Sequence, residues 1–177
     1  GPDCARPYDI ALFNVSAMSF GALSGNAIEA LNGGAARGGF AHDTGEGSIS
    51  QHHRVHGGDL VWEIGSGYFG CRNDDGTFNA EKFAANARDP QVRMIEIKLS
   101  QGAKPGKGGI LPGAKVTPEI ARIRGIPAGQ DSLSPNRHTD IRDCHELLDF
   151  LDHVRGVTGK PVGFKTVIGS VGWLEEL

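Results

Sequence analysis

One stretch, Val92 to Gly113 (VRMIEIKLSQGAKPGKGGILPG), constrains the fold of this chain more than any other. Its first half is a short apolar run, Met94, Ile95, Ile97 and Leu99, broken only by Glu96 and Lys98, and it reads as a buried parallel strand. Its second half is a glycine-rich loop that carries Gln101, Lys104, Lys107 and two prolines. In α/β folds, ligands bind at the carboxyl ends of the parallel strands. The strand therefore delivers Lys98 to a candidate site, and a cationic loop opens directly beyond it. The competing reading is a solvated surface loop whose lysines serve solubility. The position of Lys98 inside an apolar strand favours function.

The rest of the chain repeats the strand-then-helix order. Ile10 to Met18 is the first strand candidate, and Ser24 caps a helix to about Arg37, with the glycines at 33, 34, 38 and 39 weakening its end. Gly39 to His42 is a short strand leading into Thr44-Gly45-Glu46-Gly47. Between Ser48 and Phe78 the pattern predicts an insertion: a His-rich polar segment, then Leu60–Gly65 and Tyr68–Cys71 as a hairpin outside the main sheet. Asn79 caps a helix to about Arg88, and Thr117-Pro118 starts a short one. Ile126 to Asn136 is irregular, with a brief strand at its end. A long helix runs from Ile141 or Asp143 to about Val157 with a stripe of Leu147, Leu148, Leu151 and Val154. Val162 to Ile168 is a second buried strand with one lysine, Lys165, and Ser170 begins a last helix. Alternation of this kind means parallel β with crossover helices. About five strands are predicted, too few to close an eight-stranded barrel by themselves.

Composition limits the function classes. The chain has 177 residues, enough for a domain with its own core. A net charge of −3 without any basic run argues against a nucleic-acid partner. Cys4, Cys71 and Cys144 have no C-x-x-C spacing, which points to a reducing compartment and to no encoded zinc or cluster. No apolar run reaches membrane-spanning length and no signal peptide opens the chain, so a soluble cytoplasmic protein is expected.

Polar or glycine-rich residues recur where core strands end: Ser19-Phe20-Gly21, the turn around Glu46, Lys98 with Gln101 and Lys104, Lys165, and Ser134-Pro135. In a (β/α)-barrel these would converge on one mouth. A lysine in a buried strand either forms a Schiff base or holds an anion or an electron-rich ring edge. Three lysines together favour an anionic ligand, and a Schiff-base enzyme stays open as the lesser alternative. Glu46, between glycines, suits orienting a substrate amine, or else caps a local amide. His52, His53 and His56 lack a predicted helix and an H-E-x-x-H glutamate, so they read as a polar loop over the mouth, and no metal site is expected.

The segments MSFGALS, DTGEGSIS, IEIKLSQGAKPGKGGILPG, LSPNRHTDI and VGFKTVIG closely resemble successive motifs of the FMN-binding domain of glutamate synthase, and most of all its stand-alone FMN-binding relatives. The resemblance runs from about Asn14 to Gly169. It implies a (β/α)8 TIM barrel, of which residues 1–177 would be a partial domain holding roughly the first five β/α units, with the hairpin as an insertion. It also implies an oxidoreductase of nitrogen metabolism in which reduced FMN delivers hydride to 2-iminoglutarate, formed from 2-oxoglutarate and ammonia, to give glutamate.

The resemblance assigns roles by position. Ser19, Gly21, Gln101 and Lys165 would lie along the flavin, with Lys165 at its N1–C2=O edge. Glu46 and Lys98 would face the reacting substrate, and Lys104 and Ser134 would bind it. The electron donor and the ammonia source stay unnamed, and a homo-oligomer is compatible with the pattern. Two family features are not in this sequence: the GHDGGTGA-like phosphate loop and the cysteines that hold an iron–sulfur cluster in the classical enzymes. The alternative expectation is therefore a non-catalytic half-barrel, or a subunit that needs a second chain to complete its site.

Overall fold

A computed structural model describes residues 4–104, 106–170 and 172–175. Helix α1 (Gly25–Gly38) starts where Ser24 Oγ accepts from the Ala27 N–H, and it ends on Gly39 in the left-handed region at φ 66°. Strand β1 (His42–Asp43) follows, then the one-turn helix α2 (Gln51–Arg54) and strand β2 (Leu60–Ile64). Helix α3 (Ala80–Ala87) is capped by the Asn79 side chain, and β3 (Val92–Lys98) comes next. The short strands β4 (Ile110–Leu111) and β5 (Ser132–Leu133) flank α4 (Pro118–Arg124), which Thr117 caps and Gly125 ends. Helix α5 (Cys144–Thr158), capped by Asp143, leads to β6 (Val162–Lys165) and to a last turn, α6 (Gly172–Glu175).

β1, β2, β3 and β6 form a parallel sheet in that order, and β4 pairs with β5 as a separate antiparallel ribbon. Because strand side chains alternate, each core strand carries two different faces. One face presents Leu60, Trp62, Ile64, Ile95 and Ile97 to α3 and α5, where Phe83, Leu147, Leu151 and Val154 close the main core. Trp62 stacks on Phe83 with ring centroids 5.4 Å apart. Burial of each such side chain contributes about 1.5–3 kcal/mol. The opposite face carries Glu63, Glu96, Lys98 and Lys165. The architecture is mixed α/β with a parallel sheet, compatible with part of a TIM-barrel-like fold, and the sheet is open among the described residues.

Several sequence expectations are corrected. The predicted hairpin insertion does not exist: all five residues of β2 are buried and lie in the middle of the sheet, between β1 and β3. The Trp62–Glu63 alternation imitates a half-exposed strand, but Glu63 is buried against lysines. Tyr68–Cys71, expected as the partner strand, is a turn with Tyr68 at φ 48° and Gly70 at φ 83°.

The first strand shrinks to a single bridge, Val15 to His42. Beside it the Asn14 side chain takes the Ala41 N–H, a donor the ladder would otherwise use, and Leu12 and Phe13 stand exposed. The histidine segment is helical after all, with His53 Nδ1 accepting from both the Ser50 N–H and hydroxyl. Helix α1 runs through its glycines; Gly33 lies against the His56 ring, where a Cβ would come within 3.1 Å. Leu148 is exposed, so the buried stripe of α5 is Leu147, Leu151 and Val154.

Candidate functional site

The polar face of the sheet is an ordered set of charges. Register pairs Glu63 of β2 with Glu96 of β3, and Lys98 of β3 with Lys165 of β6. Two carboxylates thus lie side by side, and two ammonium groups lie side by side two residues nearer the carboxyl ends. Like charges paired across strands repel, and here the lysine row offsets the carboxylate row. Lys165 Nζ donates to Glu63 Oε2 and lies 3.8 Å from Glu96 Oε2. Lys98 Nζ donates to Glu46 Oε2 at 3.3 Å and to Gln101 Oε1 at 3.1 Å, and lies 3.7 Å from Glu63 Oε1.

Burial pushes the Asp43 carboxyl well above the ordinary carboxylate range, and the neighbouring Glu63 and Glu96 charges add to that push. Burial also raises Glu63, against the pull of Lys165 and Lys98. For Lys165, burial works against the charged form, but Glu63 outweighs it and the amine is held above its usual value. Asp43, Glu63 and Glu96 bring carboxylate oxygens within 4.8 Å of one another. Lys165 already contacts two of the three, Glu63 and Glu96.

Above this floor lies a cleft of about 580 Å³. Its walls come from loops that glycine brings close. Gly45 sits at φ 65°, where a Cβ would be 2.7 Å from the Ser19 backbone nitrogen, so the Ser19 loop lies directly on the Glu46 turn. A Cβ on Gly109 would come within 2.4 Å of Glu46 Oε1. The glycine-rich loop after β3 is pinned by the Ser134 N–H donating to Gly109 O at 2.9 Å, as β4 and β5 pair beside it.

Ser19, Glu46, Lys98, Gln101, Lys104, Ser134 and Lys165 all line this one cleft. Gly21 does not. It takes φ 101° and faces Ile120 and Leu111, where a Cβ would come within 3.1 Å, so its place is the contact between the first loop and α4. Ser134 arrives from the antiparallel ribbon rather than from the end of a core strand.

Two charged residues of the cleft carry no assignment from the sequence. Glu63 carries the same signal as Lys98, a charge inside an apolar strand, but the sequence pattern puts its strand outside the sheet. Arg124, in the last turn of α4, is 4% exposed. Its Nη1 donates to Ser132 Oγ at 3.0 Å, its guanidinium lies over Phe69, and its Nε has no hydrogen-bond partner. Nothing in the spacing of PEIARIR separates it from the exposed Arg122. A second cleft of about 450 Å³ between α2, α3 and α4 also carries cations. Arg54 is paired with Asp89, Lys82 donates to the Arg72 carbonyl, and Arg72 donates to Gly67 O.

In α/β folds with a parallel sheet, the strand ends, here an ionic face mouthed by a cationic glycine loop, are where ligands bind. Residues 6–173 match the family model described as the conserved region in glutamate synthase. The chain belongs to the glutamate synthase family. It is 42% identical over 176 residues to the glutamate synthase large subunit-like protein YerD of Bacillus subtilis (strain 168), covering 98% of this chain and 33% of that protein. It is 39% identical over 152 residues to an archaeal-type glutamate synthase (NADPH) of Thermotoga sp. (strain RQ2), covering 85% and 27%. An archaeal glutamate synthase (NADPH) of Archaeoglobus fulgidus (strain ATCC 49558) is 38% identical over 156 residues, with 85% and 27% covered. The chain thus spans about a third or less of the curated relatives it matches. Among the described residues no helix is long and apolar enough to cross a membrane.

Proposed function

We propose that this chain is the substrate side of an FMN-dependent glutamate-synthase-type oxidoreductase, whose reaction reduces 2-iminoglutarate, formed from 2-oxoglutarate and ammonia, to glutamate. The observation that carries the reading is convergence: seven side chains from separate stretches of sequence line one cleft. The donor set suits a flavin ring. Its N1–C2=O edge accepts hydrogen bonds, and Lys165 and Gln101 are the residues that would hold it, with Ser19 on the glycine-shaped wall. When bound and reduced, FMN supplies the hydride. A cation near the N1 edge favours the reduced anionic ring.

The protein's own groups then divide the remaining work. Lys104 and Arg124 bring positive charge to a dicarboxylate, and Arg124, buried with a free Nε, holds a planar fork suited to a carboxylate. Lys98 Nζ, on Glu46 Oε2, keeps a proton at the rim where the imine nitrogen or keto oxygen needs one. Ser134 Oγ adds a hydroxyl to the wall beside Glu46, both side chains lying against Gly109.

The test is to purify the full-length protein and record its flavin absorption. Bound FMN, and a keto acid that perturbs its spectrum, are the expected results; a colourless protein that rejects added FMN sinks the proposal. A second reading is favoured by the open sheet: this chain is catalytically incomplete and needs further strands, from its own longer chain or a partner. Comparing flavin uptake by residues 1–177 with that of the full-length protein separates the two, because a competent 177-residue piece contradicts the second.

A further inference from the structure

We infer that Glu63 is the positioning residue of this site: one buried carboxylate in mid-sheet holds the ammonium groups of Lys98 and Lys165 on its two oxygens. Glu63 is completely buried. Its Oε2 accepts from Lys165 Nζ, and its Oε1 faces Lys98 Nζ at 3.7 Å. The other carboxylates make only one of these contacts each. Glu46, from the turn after β1, reaches Lys98, and Glu96, from β3, reaches Lys165. Among the described residues only Glu63 bridges the two lysines, and its own place is fixed. Its N–H donates to Thr44 Oγ1 at 3.1 Å, and that hydroxyl donates to Gly45 O at 3.0 Å, which ties β2 to the Glu46 turn.

The two lysines sit in register on neighbouring strands, so without a shared counter-ion each would disfavour the other's charge. Glu63 Oε1 has no hydrogen-bond partner, while Lys98 donates upward to Glu46 and Gln101. Lys98 therefore stands between two acceptors, Glu46 at the rim and Glu63 on the floor. A ligand group that takes Glu46 would leave Lys98 still held from below. The groups facing the pair are Asp43 from β1, Glu46 after it, Glu63 from β2 and Glu96 from β3; of these only Glu63 is common to both lysines. The naming of one lysine for the ring and the other for the keto acid rests on the functional reading above. The tether itself does not.

The two ideas fail separately, because the tether is read without any flavin. In the full-length protein, amines are trace-labelled with acetic anhydride across a pH series and quantified by peptide mass spectrometry. Glu63→Gln keeps the side-chain shape and removes the charge. It should raise labelling of both Lys98 and Lys165 at pH 8 by about tenfold, the equivalent of one pKa unit. Lys104, which does not touch Glu63, serves as the internal reference. Glu63→Asp, which restores the charge, should return both lysines to within about threefold of the parent, a rescue that a packing role would not produce. Unchanged labelling, or a change at only one lysine, overturns the inference. Should Glu63→Gln not fold, Lys165→Met serves instead: Lys98, left as the sole claimant on Glu63, should label several-fold more slowly. An unaltered Lys98 then overturns the inference.

Discussion

The two faces of the parallel sheet come from the same few residues and behave oppositely. In β2, Leu60, Trp62 and Ile64 turn toward α3 and α5, while Glu63 turns inward; in β3, Ile95 and Ile97 turn outward, while Glu96 and Lys98 turn inward. The outer face is apolar and closed by helices, and it is where burial stabilises the domain. The inner face gathers three carboxylates and two ammonium groups under a cleft, an arrangement that costs stability unless each charge has a counterpart. Because the period of a strand is two, one strand can serve stability and chemistry at once, and each can be disturbed separately.

The largest effect should come from the outer face. Trp62→Ala removes a fully buried ring stacked on Phe83 and is expected to cost about 3–5 kcal/mol, read by denaturant unfolding. Any flavin bound by the protein that still folds should keep its spectrum. Next, on the inner face, the proposed function predicts that Lys98→Met weakens keto-acid binding by about a hundredfold, roughly 2.7 kcal/mol, with a smaller loss of stability than Trp62→Ala. Spectral titration with 2-oxoglutarate checks it, and a large loss of Tm with unchanged affinity would erase the contrast between the faces.

A smaller effect concerns the rim of the sheet, where burial pulls His42 and His53 down to about 4 from an ordinary value of 6.5. The unfolded chain therefore binds protons that the folded chain refuses between those values. Stability from these histidines is fully present above pH 6.5 and is lost as pH falls toward 4, by about 1 kcal/mol per histidine at pH 5.5. His42→Asn should flatten the acid limb of a Tm–pH series.

A further effect has the opposite sign. Asp43 is held above its ordinary range, so its contribution is present at low pH and is lost as pH rises. Asp43→Asn keeps the oxygen that accepts from the Gly45 N–H at 2.8 Å, and should raise Tm at pH 8 more than at pH 5.

Where local chemistry dominates, the sequence was readable. Ser24, Asn79 and Thr117 each cap the helix their side chain predicts, because an N-cap needs only its own next three residues. Lys98 and Lys165 stood out as charges in apolar strands, and the cleft gathers them as expected. Reading failed where neighbours decide. Leu60–Ile64 has the alternation of a half-exposed hairpin, and only the flanking β1 and β3 make it a central strand. With that strand misplaced, Glu63 went unseen. Arg124 was invisible for a related reason: burial over Phe69 is made by a contact spanning 55 positions, which no local pattern records.

The sequence by itself determined the class of fold, most of the helix starts, the family, and four of the six charged residues at the cleft, since periodicity, capping and motif are properties of short stretches. Only the tertiary structure decided that Gly21 packs against α4 instead of lining the cleft, that His52 and His53 sit in a helix beside α1, and that both lysines share one buried carboxylate. Those are facts of approach between distant segments, fixed by strand register and by glycine-permitted contacts. Lys98 and Lys165 could each be found in one dimension, but the Glu63 that joins them exists only across the sheet.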